Sequence, residues 1–289
     1  MQAGDKNTTY FHRQCRARLS RNHISEISLG DGVVIKGQDP LKQAAWTHFQ
    51  LLFHEDGLAA SDVSVEFLDK IPTLVNPEDN QALLKPFSEQ EILDVIWVME
   101  PDKAPGSDGF SFHFYRVCWN IIKSNMIRMV LSFHKKSKFG GCTNSTFLAL
   151  IPKEVNPSSF DRFRPIYLCN ASYKILSKLL AKRIKPLLGK LISPLQGGFV
   201  KGRHLIDNVI QVQEAIHSSS QWKEKGMLIK LDMQNAFDRI KLPFLYDVLL
   251  TFGFRVEFVN LIKACNDMPW IDLLVNGRPS DFFQGTHGL

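Results

Sequence analysis

Apolar side chains recur at helical spacing in five stretches of this chain, and alternate or cluster as strands in between. Residues 40–53 place Leu41, Ala45, Phe49 and Leu52 on one side of a helix. At Ser88-Glu89-Gln90-Glu91 a second helix opens. Ser88 can cap it, Glu91 stands at the capping-box position, and Ile92, Val95, Ile96 and Met99 form its apolar face. That helix ends before Pro101, and a longer one is predicted over residues 112–134. The clearest amphipathic pattern runs over residues 173–188. Ile175, Leu176, Leu179, Leu180, Ile184 and Leu187 make the stripe, Lys174, Lys178 and Lys182 recur on another face, and Pro186 ends or kinks it. Residues 209–218 read as helix too.

Strand signals fill the gaps. Residues 24–35 read as two short strands about the Gly30-Asp31-Gly32 turn. Residues 146–151 and 165–169 read as two more. Met227-Leu228-Ile229-Lys230-Leu231-Asp232 reads as a strand ending in a carboxylate. Residues 271–275 read as a strand running into Asn276-Gly277, a strong hairpin dipeptide. Two stretches lack an apolar face. Residues 10–22 carry Arg13, Arg16, Arg18 and Arg21 and read as a basic helix, and residues 56–80 are acidic and predict a connector.

Composition changes this picture little. The 289 residues are 44% hydrophobic and 22% charged, an ordinary globular balance. No apolar run approaches the ~20 residues of a membrane span, and no secretory pattern is visible, so an intracellular protein is expected. The five cysteines form no CxxC pair, which predicts buried free thiols rather than zinc or disulfides. Charge is more informative in its distribution than in its total of +6. Residues 39–108 hold 14 acidic against 4 basic side chains, while residues 151–205 hold 11 basic against 2 acidic. A basic block of that kind is either a footprint for phosphates or a solvated face.

The candidate chemistry centres on Lys230-Leu231-Asp232-Met233-Gln234-Asn235-Ala236-Phe237-Asp238. A strand that ends in Asp and turns into a helix sets a carboxylate at a sheet edge, suited to a hard cation such as Mg²⁺. A plain helix cap at Asp232 is the alternative. Four further stretches carry polar or glycine-rich signals: Gly4-Asp5-Lys6-Asn7-Thr8-Thr9-Tyr10-Phe11-His12; Lys103-Ala104-Pro105-Gly106-Ser107-Asp108-Gly109; Ile151-Pro152-Lys153 with Phe163-Arg164-Pro165-Ile166; and Gln196-Gly197-Gly198-Phe199-Val200-Lys201-Gly202-Arg203 with Asp207-Asn208. Singly these are turns, surface charges on a hairpin, or a helix start.

Together and in this order they resemble the reverse transcriptases of LINE-type (non-LTR) retrotransposons, in a plant-like form. The resemblance implies an α+β right-hand polymerase fold with fingers and an incomplete palm behind a helix-rich N-terminal extension. It divides the chain into residues 1–87 as linker, 88–226 as fingers and 227–289 as the start of the palm. It makes Asp232 a catalytic metal ligand, assisted by the Met233 carbonyl, for Mg²⁺ (or Mn²⁺). Lys153, Arg164 and Phe237 would meet the nucleotide, Phe237 lying under the sugar and Asp238 supporting the turn. Lys as a point charge and Arg as a planar fork suit a triphosphate. Lys103, Gly106, Lys174, Lys178, Lys182, Gln196 and Arg203 would lie along the template. The glycines at 197 and 198 and Lys201 depart mildly from the commonest pattern, which has small residues such as Ser-Ala and then Pro.

The implied reaction is RNA-directed DNA synthesis by two-metal nucleotidyl transfer, with an RNA template, a DNA primer and dNTPs as partners and no membrane. It needs further carboxylates, commonly a Tyr/Phe-X-Asp-Asp turn, and the chain contains no adjacent Asp pair. A truncated and inactive polymerase remnant is therefore expected, with nuclear and cytoplasmic location as in the family. The alternatives are a non-catalytic nucleic-acid-binding module and a maturase-like relative of group II intron enzymes.

Overall fold

The computed structural model describes residues 8–29, 32–53, 65–222, 227–231, 240–266 and 270–284. Helix α1 (Thr9–Asn22) is the basic stretch. Strands β1 (Glu26–Ser28) and β2 (Val34–Lys36) pair antiparallel as expected. In α2 (Gln38–Leu52) Leu41, Ala45 and Phe49 are buried, but Leu52 is exposed and Phe53 takes the inward position.

The acidic connector is more ordered than its composition suggests. It contains α3 (Val65–Leu68) and α4 (Pro77–Leu84), the latter opened by a capping box between Asn76 and Asp79. Asn80 is buried and bridges two chain segments: its side-chain amide donates to the Gly253 carbonyl (2.8 Å), and its oxygen accepts from the Arg255 backbone N–H (2.9 Å). Helix α5 (Glu89–Val98) is capped by Ser88 and Glu91 in the reciprocal manner read from the sequence.

The long helix expected over residues 112–134 is two helices, α6 (Phe112–Val117) and α7 (Trp119–Lys136). No Gly or Pro marks the break at Cys118. Its cause is tertiary: Arg116 donates to the carbonyls of Ile96, Trp97 and Met99, tying α6 to the end of α5. Strands β3 (Ser145–Pro152) and β4 (Phe163–Cys169) follow, then α8 (Ala171–Ile184), a turn at Pro186, and α9 (Leu188–Leu191). The remaining elements are α10 (Leu205–Trp222), α11 (Leu242–Thr251), α12 (Val256–Asn266), β5 (Trp270–Val275), β6 (Arg278–Pro279) and β7 (Phe283–Gln284).

Two cores result. A helical core gathers α4 to α8 with α11 and α12 around Ile92, Ile96, Val130, Ile175, Leu179 and Phe258. The second lies between α2 and one face of a five-stranded sheet ordered β4-β3-β5-β6, with β7 also on β5. In that sheet β3 pairs antiparallel with β4 and parallel with β5. Leu148, Leu150, Phe163, Ile271, Leu273 and Val275 point to α2, and period-2 alternation turns Ile151, Arg164 and Ile166 to the open face.

The β5–β6 turn closes with Asn276 and Gly277 both at positive φ (53° and 76°), as a two-residue primed hairpin requires. Asn276 also reaches the other end of the chain. It accepts from the Ile24 N–H (2.8 Å) and donates to the Ile24 carbonyl (3.0 Å) and to Gln38 (3.2 Å). One sheet thus joins residues on both sides of position 226, and α2 packs on it from the segment before position 88.

Asp272 on β5 is buried and accepts from the Ser280 N–H (2.7 Å) and hydroxyl (3.1 Å). Burial pushes its carboxyl above the usual range, and the Ser280 bonds offset this only in part. A carboxyl with a raised folded pKa binds its proton more tightly in the fold than in the unfolded chain. Its contribution to stability is therefore present at low pH and lost as pH rises from the unfolded value through the folded one. Asp272→Asn keeps both acceptor bonds and is expected to remove that slope. The difference between variant and wild type in urea unfolding across pH 3–7 reads it directly, and a pH-independent difference would refute the assignment.

Candidate nucleotide and nucleic-acid site

The β3–β4 hairpin positions the two cations expected at a nucleotide. Register pairs Ile151 with Arg164 and Pro152 with Phe163, and the Lys153 N–H donates to the Arg162 carbonyl (2.8 Å). Directly opposed residues share a face, so Arg164 projects with Ile151 and Ile166 away from α2, and Lys153, one residue past the end of β3, lies at the same end of the hairpin. Both cations are exposed. The Lys153 ammonium donates to the Asp161 carbonyl (2.8 Å), while Arg162 pairs with Glu154 (3.7 Å). Arg164 has no acidic partner among the described residues. Two exposed cations at one end of the hairpin, beside apolar side chains, can receive a polyphosphate.

The glycine-rich loop is held against this sheet by Asn170, the residue before α8. Asn170 is buried and accepts from the Ser107 hydroxyl (3.2 Å) and the Asp108 N–H (3.1 Å), and Ser107 bonds Ser145 at the start of β3 (2.8 Å). Gly106 lies so close that a Cβ there would stand 2.3 Å from Asn170 Oδ1 and 2.4 Å from its backbone N. The structure therefore gives Gly106 a packing role at a buried position, and leaves Lys103 on the surface, 3.5 Å from Glu100.

On α8, Lys178 is exposed and Lys174 half-buried, whereas Lys182 pairs with Asp94 of α5 (3.0 Å). Its neighbour Arg183 pairs with Glu91 (3.2 Å), and Lys190 pairs with Asp79 of α4. The acidic and basic blocks of the sequence thus face each other across helix contacts, which accounts for part of both. Further along, the Arg203 guanidinium donates to the carbonyls of Ile192 (2.9 Å), Ser193 and Gln196 (3.0 Å), so it binds the loop that carries it. Gln196 itself is exposed. At Gly197 a Cβ would stand 2.8 Å from Asn208 Oδ1 and 3.2 Å from the His204 carbonyl, which explains the need for a small residue there.

Against known proteins, residues 151–287 match the family described as reverse transcriptase (RNA-dependent DNA polymerase). They are a reverse-transcriptase domain. The Lys153–Arg164 end of the hairpin and the loop after α9 both fall inside it. Three relatives all come from transposons or retrotransposable elements. A Transposon TX1 uncharacterized 149 kDa protein of Xenopus laevis is 26% identical over 90% of this chain and 20% of its own length. A probable RNA-directed DNA polymerase from transposon BS of Drosophila melanogaster is 23% identical over 78% of this chain and 25% of its own. A retrovirus-related Pol polyprotein from type-1 retrotransposable element R2 of Popillia japonica is 24% identical over 54% and 21%. The chain spans a fifth to a quarter of the length of these relatives. The match agrees with the non-LTR retrotransposon resemblance carried by the motifs.

Within the reverse-transcriptase domain, Asp232, Met233, Phe237 and Asp238 lie outside the described residues. Residues 227–231 are described, and they correct the strand expected there: they pair with no strand among the described residues, and Met227, Leu228, Ile229 and Leu231 are exposed. A short apolar run supports a strand only where a sheet partner and a covering face are present. Among the described residues no group of three or more His, Cys, Asp or Glu is placed to hold a metal, and no helix is long and apolar enough to cross a membrane. The thiols are also less uniformly buried than expected. Cys15 is exposed, Cys118 and Cys169 are intermediate, and only Cys265 of these four is buried, its thiol pushed up to about 12.

Sequence reasoning missed two residues that organise this region. Asn170 had a legible role only as the residue before a helix, and Arg183 was hidden among the lysines of α8. Arg183 lies over the Phe87 ring (3.8 Å) and donates to the carbonyls of Leu83 (2.8 Å), Lys85 and Pro86 (3.2 Å) besides Glu91. Only the capping residue Glu91 hinted at that partner.

Proposed function

We propose that this chain supplies the fingers and the first catalytic carboxylate of an RNA-directed DNA polymerase of a non-LTR retrotransposon. The observation that carries the reading is the placement of two exposed cations, Lys153 and Arg164, at one end of the β3–β4 hairpin inside the matched segment. In this reading they take the phosphates of an incoming dNTP, Phe237 lies under its sugar, and Lys103, Lys174, Lys178 and Gln196 border the RNA template. Residues 88–226 then serve as fingers and 227–289 begin the palm, and the DNA primer approaches Asp232.

The donor set at Asp232 and the Met233 carbonyl consists of hard oxygens, which suit Mg²⁺ or Mn²⁺. Such ions, when bound, stabilise the attacking and leaving oxygens of nucleotidyl transfer, and two of them need more carboxylates than Asp232 provides. What the described residues do is narrower: they bring two exposed cations to one end of the hairpin, beside Ile151 and Ile166.

Fluorescent dNTP titrated with Mg²⁺ onto the purified chain tests this. Lys153→Gln with Arg164→Gln is expected to weaken binding by about a hundredfold, roughly 1.4 kcal/mol for each tenfold step, with an unchanged melting temperature because both side chains are exposed. Equal binding by wild type and double variant would remove the nucleotide assignment.

A further inference from the structure

Helix α1 carries four arginines and no acidic residue over 14 positions, and none of its residues is buried. At about 100° per residue, Arg16, Arg13, Arg21 and Arg18 fall in that order around roughly 200° of its circumference. All four are exposed, and none has an ion pair among the described residues. The two half-buried residues, Phe11 and Asn22, lie outside that arc and turn toward the body of the protein. A helix of this length that buries nothing and repels itself is marginal in water. A polyanion along its length would remove the repulsion.

We propose that α1 binds double-stranded DNA in the major groove, a role separate from the nucleotide site and not dependent on it. An arc wider than half the circumference cannot be satisfied by one strand, which offers phosphates on one side only. It can be satisfied in a groove, where Arg16 meets one backbone and Arg18 the other, with Arg13 and Arg21 between them. The B-form major groove is about 12 Å wide and admits an α-helix. The A-form major groove is too deep and narrow for side chains to read, so the surface selects DNA over duplex RNA. The C-terminal end of α1 borders a polar cleft of about 400 Å³, with Arg21, Asn22 and His23 on one side and Asn156 and Ser158 of the β3–β4 loop on the other. A backbone leaving the groove has polar groups to follow there.

Anisotropy with the full chain, without nucleotide, tests this on a labelled 20-base-pair DNA duplex, the RNA duplex of the same sequence and the single strand. The DNA duplex is expected to bind at least tenfold tighter than either. Changing all four arginines to Gln, which keeps helix propensity, should reduce the slope of log affinity against log salt by about 3–4. Circular dichroism checks that the variant keeps its fold, which it should, since α1 buries nothing. Three results would overturn the proposal: no binding of the DNA duplex by wild type, equal binding of the RNA duplex, or an unchanged salt slope in the variant.

Discussion

Arg183→Met should lower the unfolding free energy by about 3–5 kcal/mol, the range for a buried ion pair stripped of one partner. The Arg183 side chain is 9% exposed, and one guanidinium serves the Glu91 carboxylate, three carbonyls and the face of Phe87. Removing it leaves Glu91 and the Leu83 carbonyl, both part-buried, without their partner, while the Lys85 and Pro86 carbonyls at the exposed edge can turn to water. Arg183→Lys should recover less than half of the loss, because an ammonium cannot span acceptors placed around a planar fork. Urea unfolding at neutral pH measures both.

The pH profile adds a second readout. Burial alone would raise the Glu91 carboxyl, but the Ser88 N–H and Arg183 hold it below the usual carboxylate range. A depressed carboxyl contributes stability above its unfolded value, and that stability is lost as pH falls through the folded one. In Arg183→Met that depression is relieved, so the Glu91 contribution to the acid-side loss should shrink and the acid limb should flatten. A loss under about 1 kcal/mol, typical of exposed pairs, together with an unmoved acid limb, would show that the cage has no energetic role.

Gly106→Ala is expected to cost about 3 kcal/mol, the upper end for overpacking a tight site. The added Cβ would meet the backbone N and Cα of Asn170 at 2.4 and 2.6 Å, and backbone cannot swing aside as a side chain can. Gly109→Ala is the informative control. Gly109 has φ +73° but nothing within 4 Å of its Cβ position, so its penalty is conformational, about 1–2 kcal/mol. The loop glycine with ordinary φ should therefore be the costlier one to replace, and thermal melts showing the reverse order would refute the close approach.

What was legible in the sequence was what depends on near neighbours. The Ser88–Glu91 cap, the Asn276-Gly277 turn and the stripe of α8 are local patterns, and each appears as read. The break at Cys118 was not, because Arg116 makes it by binding α5 and leaves no trace in the residues around 118. The strand read at residues 227–231 has the apolar run of a buried strand but pairs with no strand among the described residues. At the site, residue type was enough to nominate Lys153 and Arg164, and the hairpin register then brought them to one end of the sheet. It was not enough to separate Lys178, which stays exposed, from Lys182, whose charge is met by Asp94. That distinction depends on which helix packs against which.

The clasp between Ile24 and Asn276 joins positions 252 apart, and β3 likewise takes its parallel neighbour from β5. During translation at about 5–20 residues per second, Ile24 leaves the ribosome roughly 12–50 s before Asn276. Throughout that interval β1, α2 and one edge of β3 lack the surface they will cover, while the helical core can begin to assemble. Nascent chains should therefore hold part of the apolar face of α2 exposed throughout that interval, and chaperone dependence should concentrate there.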